Sequence, residues 1–464
     1  MSNGLNWSSE LFNAYHHLAL QYNSYPSNEH FQHPISAFER YSALRNSRKT
    51  NRPLSLNVTI PFCANACYHC AKKNIITKDR SRSAAYLASL QQEISILAQH
   101  VDQQRPIEQL HLGGGTPTFL NSSELRELMN SLKRNFNLVS NKLTQYSVDI
   151  DPRETDWPTM SVLRDIGFNR VNIELQGLDP NVQRAINRLQ SIEQTQNIVE
   201  AARTLQFRTL SISLLYGLPK QTPQSFSEAL TEIIRLTPDR VNLQAFKHQP
   251  KQHPIQRRIH AADLPDSANV QQMLKIAQEK LSNAGYQYIG MGHFAFADDD
   301  FASAQEDGVL QHNFQGYSTT ANCDTLGLGL SSSSQIGELY YRNTHELAAY
   351  QKAINNQQLP PVYGLHCNTD MQIKRSVIQA LICQFSLDIS AIEQRYSINF
   401  KDYFYPVWPQ LEKMHNDGLL ELTDTAINMT PQGRLLTAAV CQVFTQEPRT
   451  QPATPPIVMF STAR

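Results

Sequence analysis

The sequence predicts an α/β protein built on a partial (β/α) barrel. Short β-branched or alternating apolar runs recur roughly every 25–35 residues from about residue 54, and helical patterns separate them. Strands that alternate with helices form parallel βαβ units, whose chemistry lies at the carboxyl ends of the strands. The runs are 55–60, 109–112, 144–150, 170–176, 209–217 and 240–246, with 288–295 as a candidate seventh.

The segments between these runs carry helix signals. One set of apolar residues recurs at steps of three and four and so shares a helix face: Leu87, Leu90, Ile94, Leu97 and Val101. Ser191 and Gln194 have the spacing of a capping box. Thr222 followed by Pro223 is typical of a helix start.

The regions that flank the barrel differ in pattern. We expect residues 1–50 to form an extension laid against the barrel, which occupies 51–345. Residues 346–447 are predicted to form a mostly helical, winged-helix-like domain with a β-hairpin around Asp424. The Pro- and Thr-rich stretch 448–464 is predicted to be a disordered tail.

Charge and hydropathy exclude several functional classes. The 41 Lys and Arg balance the 41 Asp and Glu, and residues 370–446 hold six Lys and Arg against eight Asp and Glu. The basic surface that binds nucleic acid is therefore missing, and we expect the winged-helix-like domain to pack as a lid. No apolar run is long enough to span a bilayer and no secretory signal is recognisable, so we expect a cytoplasmic protein.

Three of the seven cysteines carry the main chemical signal. Cys63, Cys67 and Cys70 form a C-x3-C-x2-C run in the loop after the first strand. Three such thiolates can hold three corners of an iron–sulfur cube and leave the fourth iron open. A zinc site would need a second pair of ligands or His69 as a fourth, and chance proximity is the remaining alternative. The scattered cysteines are expected to be small core residues: Cys323, Cys367, Cys383 and Cys441.

A glycine run follows the second strand. Residues 112–118 read Leu-Gly-Gly-Gly-Thr-Pro-Thr. Consecutive glycines let the backbone approach a ligand closely, although a plain tight turn would look the same. Its position, one βα unit after the cysteine loop, favours a ligand.

The cysteine spacing resembles that of the radical S-adenosylmethionine (SAM) enzymes, and further segments narrow the resemblance. From about residue 20 to 445 the chain is similar to the oxygen-independent coproporphyrinogen III oxidase family. The segments that carry this similarity occur in the family's order: PLSLNVTIPFC, HLGGGTPTFL, DIDPRE, GFNRVNIELQG, LLYGLPKQTPQSF, GYQYIGMGHFA, HNFQGYSTT and GLLELTDTAINMTPQGRLL.

The resemblance implies a radical SAM barrel with assigned site residues. Cys63, Cys67 and Cys70 match the ligands of a [4Fe–4S] cluster. The positions that match SAM contacts are Gly114, Gly115, Thr116, Gln176, Arg188 and Asp149, the last standing where the family has Glu. Asn57, His69 and Ser213 are further candidates for contact with SAM. No catalytic residue beyond the cluster is implied.

The implied reaction converts two propionates of coproporphyrinogen III to vinyl groups, giving protoporphyrinogen IX. It implies two SAM molecules, a reductant protein such as flavodoxin or ferredoxin, and a monomer that binds a tetrapyrrole. The four carboxylates of the substrate call for cations in the loops at the barrel's carboxyl end. The candidates are Arg153, Lys220, Lys247, Arg257 and Arg258.

Besides Asp149, further positions depart from the family pattern. Asn57 stands where the family has Tyr, His69 where it has Phe, and Lys72 where it has a further Cys. Ser213 and Gly292 each replace an Asp. These departures keep two alternatives open, namely a related radical SAM enzyme that methylates and opens haem, and a non-catalytic haem-binding paralogue.

Overall fold

The computed structural model describes residues 8–22, 24–50, 52–141, 144–314, 316–320 and 323–446. The predicted tail 448–464 lies outside these residues. Six parallel strands lie side by side in chain order and confirm the predicted runs. They are β1 (Leu54–Ile60), β2 (Pro106–Gly114), β3 (Gln145–Ile150), β4 (Arg170–Gln176), β5 (Thr209–Tyr216) and β6 (Arg240–Ala245).

Helices connect these strands on the outer face of the sheet. They span Arg82–Ala98, Ser122–Asn135, Trp157–Ile166, Pro180–Ala185, Ile192–Thr204, Pro223–Arg235 and Ser267–Asn283. The predicted capping box of Ser191 and Gln194 is present, and the Thr222 side chain accepts from Ser225 N with Pro223 in the first turn. The first helix ends before Val101, which is nevertheless buried.

The side chains of each strand alternate between two environments. In β1 the apolar residues Leu54, Leu56 and Val58 are fully buried, whereas Asn57 and Thr59 line the interior of the barrel. The other five strands repeat this pattern and also present polar side chains inward. The interior is therefore a polar channel, unlike the packed apolar centre of a closed eight-stranded barrel.

The candidate seventh strand is wrong as a single element. Residues 288–295 belong to an antiparallel hairpin, β7 (Gln287–Gly290) and β8 (His293–Ala295), and β8 runs antiparallel to β6. Met291 and Gly292 make its turn with φ of 48° and 81°. Backbone in this left-handed region reverses the chain and ends the parallel series.

The opposite edge of the sheet extends beyond the predicted barrel boundary at residue 345. Strand β9 (Asp324–Leu328) pairs parallel with β1, and antiparallel strands continue the sheet. These strands are Ser333–Ile336, Leu339–Asn343, Val362–His366 and His33–Pro34. The boundary at 345 was wrong because Val362–His366 is hydrogen-bonded into this mixed sheet; within the described chain the sheet does not close into a ring.

The last part of the chain has its own core. Its helices are Thr369–Gln384, Ile389–Tyr396, Phe400–Tyr403, Trp408–Asn416, Pro431–Leu435 and Thr437–Phe444. The predicted hairpin, Leu420–Leu422 with Ala426–Met429, gains Ser386–Asp388 as a third strand. The buried residues of these elements form one apolar cluster separate from that of the barrel.

The amino-terminal extension divides between the two cores. Helix Ser9–Gln21 packs on helix Thr437–Phe444, and its Phe12 and Tyr15 belong to the carboxyl-terminal core. Helix Ala37–Ser47 lies on the barrel, where Arg40 Nη1 donates to the Pro360 carbonyl at 2.9 Å. The second helix thus lies against the barrel as expected. The first packs mainly on helix Thr437–Phe444 and also contacts the barrel helix Ser267–Asn283, where Ser267 Oγ donates to Asn13 Oδ1 at 3.0 Å.

Candidate active site

A cavity of about 1360 Å³ runs through the barrel and opens beneath the two terminal helices. Its lining includes every residue predicted to hold the cluster or SAM: Asn57, Cys63, Cys67, His69, Cys70, Gly114, Gly115, Thr116, Asp149, Gln176, Arg188 and Ser213. Residues from helix Ser9–Gln21 and from the start of helix Thr437–Phe444 cover it. The sequence thus predicted which residues share this space, and their individual roles stay predictions.

Each of the three clustered thiols has a hydrogen-bond donor. Thr116 Oγ1 lies 3.7 Å from Cys63 Sγ, and Lys72 N donates to Cys70 Sγ at 3.4 Å. Arg153 and Arg188 approach Cys67 Sγ at 3.5 and 3.7 Å. Burial raises the pKa of Cys63 to about 11. Donors and cations of this kind stabilise sulfur once it has lost its proton to bind a metal.

The glycine run is required by the cysteine loop itself. Gly115 N donates to the Ile60 carbonyl and Thr116 N to that of Phe62, each at 2.7 Å. A Cβ on Gly115 would lie 2.4 Å from Phe62 O and 3.0 Å from Cys63 Sγ. Gly114 has φ of 107°. Only glycine allows the loop after β2 to lie this close to the cysteines.

Arg188 is buried behind the cysteine loop with one donor unused. Its Nη1 donates to Asp151 Oδ2 at 3.0 Å and its Nη2 to the Glu174 carbonyl. Arg188 Nε has no hydrogen-bond partner in the described chain. Burial acts to raise the pKa of Asp151, but Arg188 and Arg153 hold it at about 2. The ion pair therefore fixes the guanidinium and leaves Nε for a bound acceptor such as a carboxylate.

Sequence reasoning missed a charged group at the centre of the cavity. Glu174 opposes Ser213 across β4 and β5, and its Oε2 accepts from Gln176 Nε2 at 2.5 Å. Burial and Asp149 raise the pKa of Glu174. Burial acts against ionised Asp149, but His111 and Lys72 lower its pKa. The period-two pattern of polar residues in RVNIELQ was the signal that could have identified Glu174.

The departures Lys72 and Gly292 have local explanations. The Lys72 side chain enters the cavity, where Asp149 and Glu174 raise its pKa against the effect of burial. A Cβ on Gly292 would lie 2.0 Å from the Leu243 carbonyl, so this turn accepts no side chain. Lys72 thus places a cation in the cavity beside the carboxylates of Asp149 and Glu174.

The predicted substrate cations divide into two groups. Arg153 and Lys247 line the cavity, and Lys247 Nζ donates to the Tyr22 carbonyl at 3.1 Å. Lys220, Arg257 and Arg258 do not line it. Arg258 instead lies over the outer face of the Tyr68 ring at 5.2 Å. The loop that carries Arg257 and Arg258 reaches the cavity through Gln252, His253 and Gln256, but the two arginines themselves do not line it.

Comparison with known proteins assigns the chain to a family. Residues 57–233 match the radical SAM superfamily, and residues 369–436 match the HemN C-terminal domain. The oxygen-independent coproporphyrinogen III oxidase of Pseudomonas aeruginosa is 49% identical over 444 residues, which cover 96% of each chain. The chain belongs to the oxygen-independent coproporphyrinogen III oxidase family.

The Escherichia coli member of the family resembles the chain over nearly its full length, both in sequence and in structure. The oxidase of Escherichia coli K12 is 39% identical over 443 residues, or 95% of each chain. A solved structure of the Escherichia coli coproporphyrinogen III oxidase, described as a radical SAM enzyme, superposes with a TM-score of 0.88 at 38% identity. That match covers 95% of this chain and 99% of the other.

Membership of the radical SAM superfamily implies a [4Fe–4S] cluster and SAM as cofactors. The residues present fit both groups. Three thiols with donors reach the cavity from one loop, and Arg188 Nε beside them is buried without a partner. In the part of the chain that the structure describes, no three His, Cys, Asp or Glu side chains gather around a single metal position. No helix among those residues has the length and apolarity to cross a membrane.

Proposed function

We propose that this protein converts coproporphyrinogen III to protoporphyrinogen IX without oxygen, by oxidative decarboxylation of two propionates to vinyl groups. The observation that carries this proposal is the extent of the family match. Identity of 49% spans 96% of both chains, so it includes the barrel and the carboxyl-terminal domain that covers the cavity. Both parts that would enclose a tetrapyrrole are therefore shared with a named oxidase.

When bound, the cluster and SAM supply the carbon-centred radical that removes hydrogen from the substrate. The chain's own residues bind and orient the cofactors and the substrate, and they exclude water. Cys63, Cys67 and Cys70 would hold the cluster, and Arg188 Nε would donate to the carboxylate of SAM. Asp151 keeps Arg188 in place, because it pairs with that guanidinium at 3.0 Å and with Arg153 at 2.7 Å.

The polar channel would hold the rest of the SAM molecule. Asp149 and Glu174 offer oxygens to hydroxyl or amine donors, and the Lys72 ammonium balances part of their charge. Arg153 and Lys247 are the cavity cations that would meet substrate carboxylates. The use of two SAM molecules per product, a reductant protein, a monomeric state and a cytoplasmic location belong to this proposal.

The test is an anaerobic assay of the reconstituted protein with coproporphyrinogen III, SAM and dithionite. We expect protoporphyrinogen IX, measured as protoporphyrin fluorescence after oxidation, together with stoichiometric cleavage of SAM. Cys63→Ala is the matched inactive control. An intact cluster that cleaves SAM without forming this product would overturn the proposal.

A parallel incubation with haem tests the two alternatives. Mass spectrometry would detect methylated or opened haem from an enzyme that acts on the finished macrocycle. Tight stoichiometric haem binding without SAM cleavage would identify a binding protein. Recovery of unchanged haem, with product formed from coproporphyrinogen, supports the proposal over both.

A further inference from the structure

Three segments, residues 63–78, 184–190 and 250–260, adjoin one another around the cysteine loop, and those of their side chains that do not line the cavity are here called the cluster-loop surface. Tyr68 N donates to the Ile186 carbonyl at 2.8 Å, and Asn187 Nδ2 to that of Ala66 at 2.7 Å. Gln256 Nε2 donates to the His69 carbonyl at 3.2 Å. The two flanking segments are therefore hydrogen-bonded to the loop that carries the cysteines.

The charge of this surface is one-sided. Residues 63–78 contain three Lys, residues 184–190 two Arg, and residues 250–260 one Lys and two Arg. None of the three segments contains Asp or Glu, although the whole chain has 41 of each sign. Lys72, Lys73 and Arg188 line the cavity; the cations exposed outside it are Lys78, Arg184, Lys251, Arg257 and Arg258. The nearby Glu154 is already paired with Arg80 at 2.5 Å. A basic field of this kind attracts an acidic partner and speeds its approach.

The surface also presents apolar contact area. Leu189 is 62% exposed and Ile76 is 48% exposed. Between the cations, Tyr68 carries Arg258 over its ring and receives a hydrogen bond from Arg258 Nη1 at 3.2 Å. Protein interfaces combine such apolar and aromatic anchors with a charged rim.

This surface lies close to the predicted cluster. Leu189 directly follows Arg188, whose Nη1 lies 3.7 Å from Cys67 Sγ. Asn187 in the same turn holds the carbonyl of Ala66, the residue before Cys67. A partner seated on the turn would be separated from the cysteine ligand by one layer of side chains.

We propose that the cluster-loop surface docks an acidic one-electron donor protein that carries a flavin or iron–sulfur group. This proposal rests on the proposed function, in which the cluster has to be reduced by one electron before SAM can be cleaved; a donor protein supplies that electron, although the net reaction of coproporphyrinogen III with two SAM molecules consumes none. In each transfer the donor's reduced group is oxidised by one electron and the [4Fe–4S] cluster is reduced by one. Arg257 and Arg258, which sequence reasoning assigned to the substrate, serve the donor instead because they lie outside the cavity.

The experiment uses the reconstituted holoenzyme and an acidic flavodoxin as the probe. The test variant is Arg257→Glu with Arg258→Glu. The control is Arg395→Glu, because Arg395 also lies over a tyrosine, Tyr396, at 5.3 Å but in the carboxyl-terminal domain. The Kd for oxidised flavodoxin is measured against salt concentration, and cluster reduction by flavodoxin hydroquinone is followed by stopped-flow absorbance.

We expect the double variant to bind flavodoxin about 10- to 100-fold more weakly, with a flatter salt dependence and slower cluster reduction. Arg395→Glu should stay within about twofold of the parent. Leu189→Ala should weaken binding without changing the salt dependence, because it removes apolar area only. Reduction by dithionite should be the same in all variants.

Three results would overturn the docking proposal. These are an unchanged Kd in the double variant, an equal loss of cluster reduction with dithionite, and a raised KM for coproporphyrinogen under dithionite. The last result would show that Arg257 and Arg258 bind the substrate rather than the donor. Failure of the proposed function is separate, because the binding and reduction measurements need no tetrapyrrole.

Discussion

Two glutamates of this protein, Glu93 and Glu174, have carboxyl groups with raised pKa but differ in their surroundings. Glu93 packs behind the barrel and accepts from Gly329 N, Tyr350 Oη and Asn343 Nδ2, each at 2.7 Å. Glu174 lies inside the barrel, accepts from Gln176, and faces the cavity. Burial raises the pKa of both carboxyl groups.

Glu93 therefore has a structural role, whereas Glu174 is available to a ligand. The oxygens of Glu93 are satisfied by three elements of the fold, so this carboxylate joins helix Arg82–Ala98 to the edge of the sheet. Glu174 keeps acceptor capacity in a space that can admit a molecule. The same contrast applies to cysteines and arginines in the two environments, and it orders the predictions that follow.

The largest effect is expected at the cavity cysteines. Replacing Cys63, Cys67 or Cys70 with Ala should abolish the visible absorption of the reconstituted cluster and all SAM cleavage. Replacement of Cys383 or Cys441, which are buried in the carboxyl-terminal core, should leave both intact. Absorption spectra with iron and sulfide analysis provide the measurement. Full cluster assembly in Cys63→Ala would contradict the assignment.

Two arginines give the second comparison. Arg188→Gln should weaken SAM binding about 100-fold, since a charged hydrogen bond to the ligand and the partner of Asp151 are both lost. Equilibrium dialysis with labelled SAM measures this loss. Arg105 is buried outside the cavity, where it pairs with Asp324 at 3.0 Å and Ser47 at 2.7 Å. Arg105→Gln should lower the unfolding temperature while the SAM affinity of the folded fraction stays unchanged.

At Glu174 we expect a smaller effect on SAM affinity, and the neighbouring strand offers a closely matched control. Glu174→Gln should weaken SAM binding about tenfold, because one charged acceptor in the channel becomes neutral. Since Glu174 opposes Ser213 across the strands, the double variant Glu174→Ser with Ser213→Asp moves the carboxylate to the neighbouring strand. We expect this exchange to recover most of the affinity. If neither variant alters the affinity for SAM, the channel carboxylate does not contact SAM.

The smallest effect concerns stability and pH at Glu93. Because its pKa is raised on folding, the folded protein loses stability relative to the unfolded chain as pH rises above the ordinary value of 4.5. Glu93→Gln removes this dependence and should unfold at a higher temperature than the parent near neutral pH. The unpartnered Oδ1 of Asn343 can accept from the new amide after a flip. Thermal unfolding midpoints across pH measure the difference, which should vanish below pH 4.5.

The sequence alone was enough to predict the six strands and the cluster and SAM candidates that line one cavity. Strand period, capping boxes and the spacing of Cys63, Cys67 and Cys70 are local signals, and local signals are readable without a structure. Glu174 lay in a recognised strand, but only the cross-strand register shows that it opposes Ser213. Register depends on pairing between distant segments and is not written in either strand alone.

The errors in the prediction from sequence also arise from contacts between distant segments. Residues 288–295 read as one strand, and only the left-handed turn at Met291 and Gly292 divides them. Arg257 and Arg258 follow a barrel strand in sequence, yet neither lines the cavity, and Arg258 lies over Tyr68 instead. Which side of a loop faces the channel depends on tertiary packing. The sequence therefore predicted the order of the parts better than the direction in which their side chains point.

The pairing of the two terminal helices over the cavity has a consequence for the time course of synthesis. Helix Ser9–Gln21 rests on helix Thr437–Phe444, which leaves the ribosome about 370 residues after Cys70. At about 5–20 residues per second, that interval is roughly 20 to 70 s. During it the cavity lacks the side chains that helix Thr437–Phe444 contributes to its lining. The cavity that the cysteine loop lines is therefore most open before this helix is made.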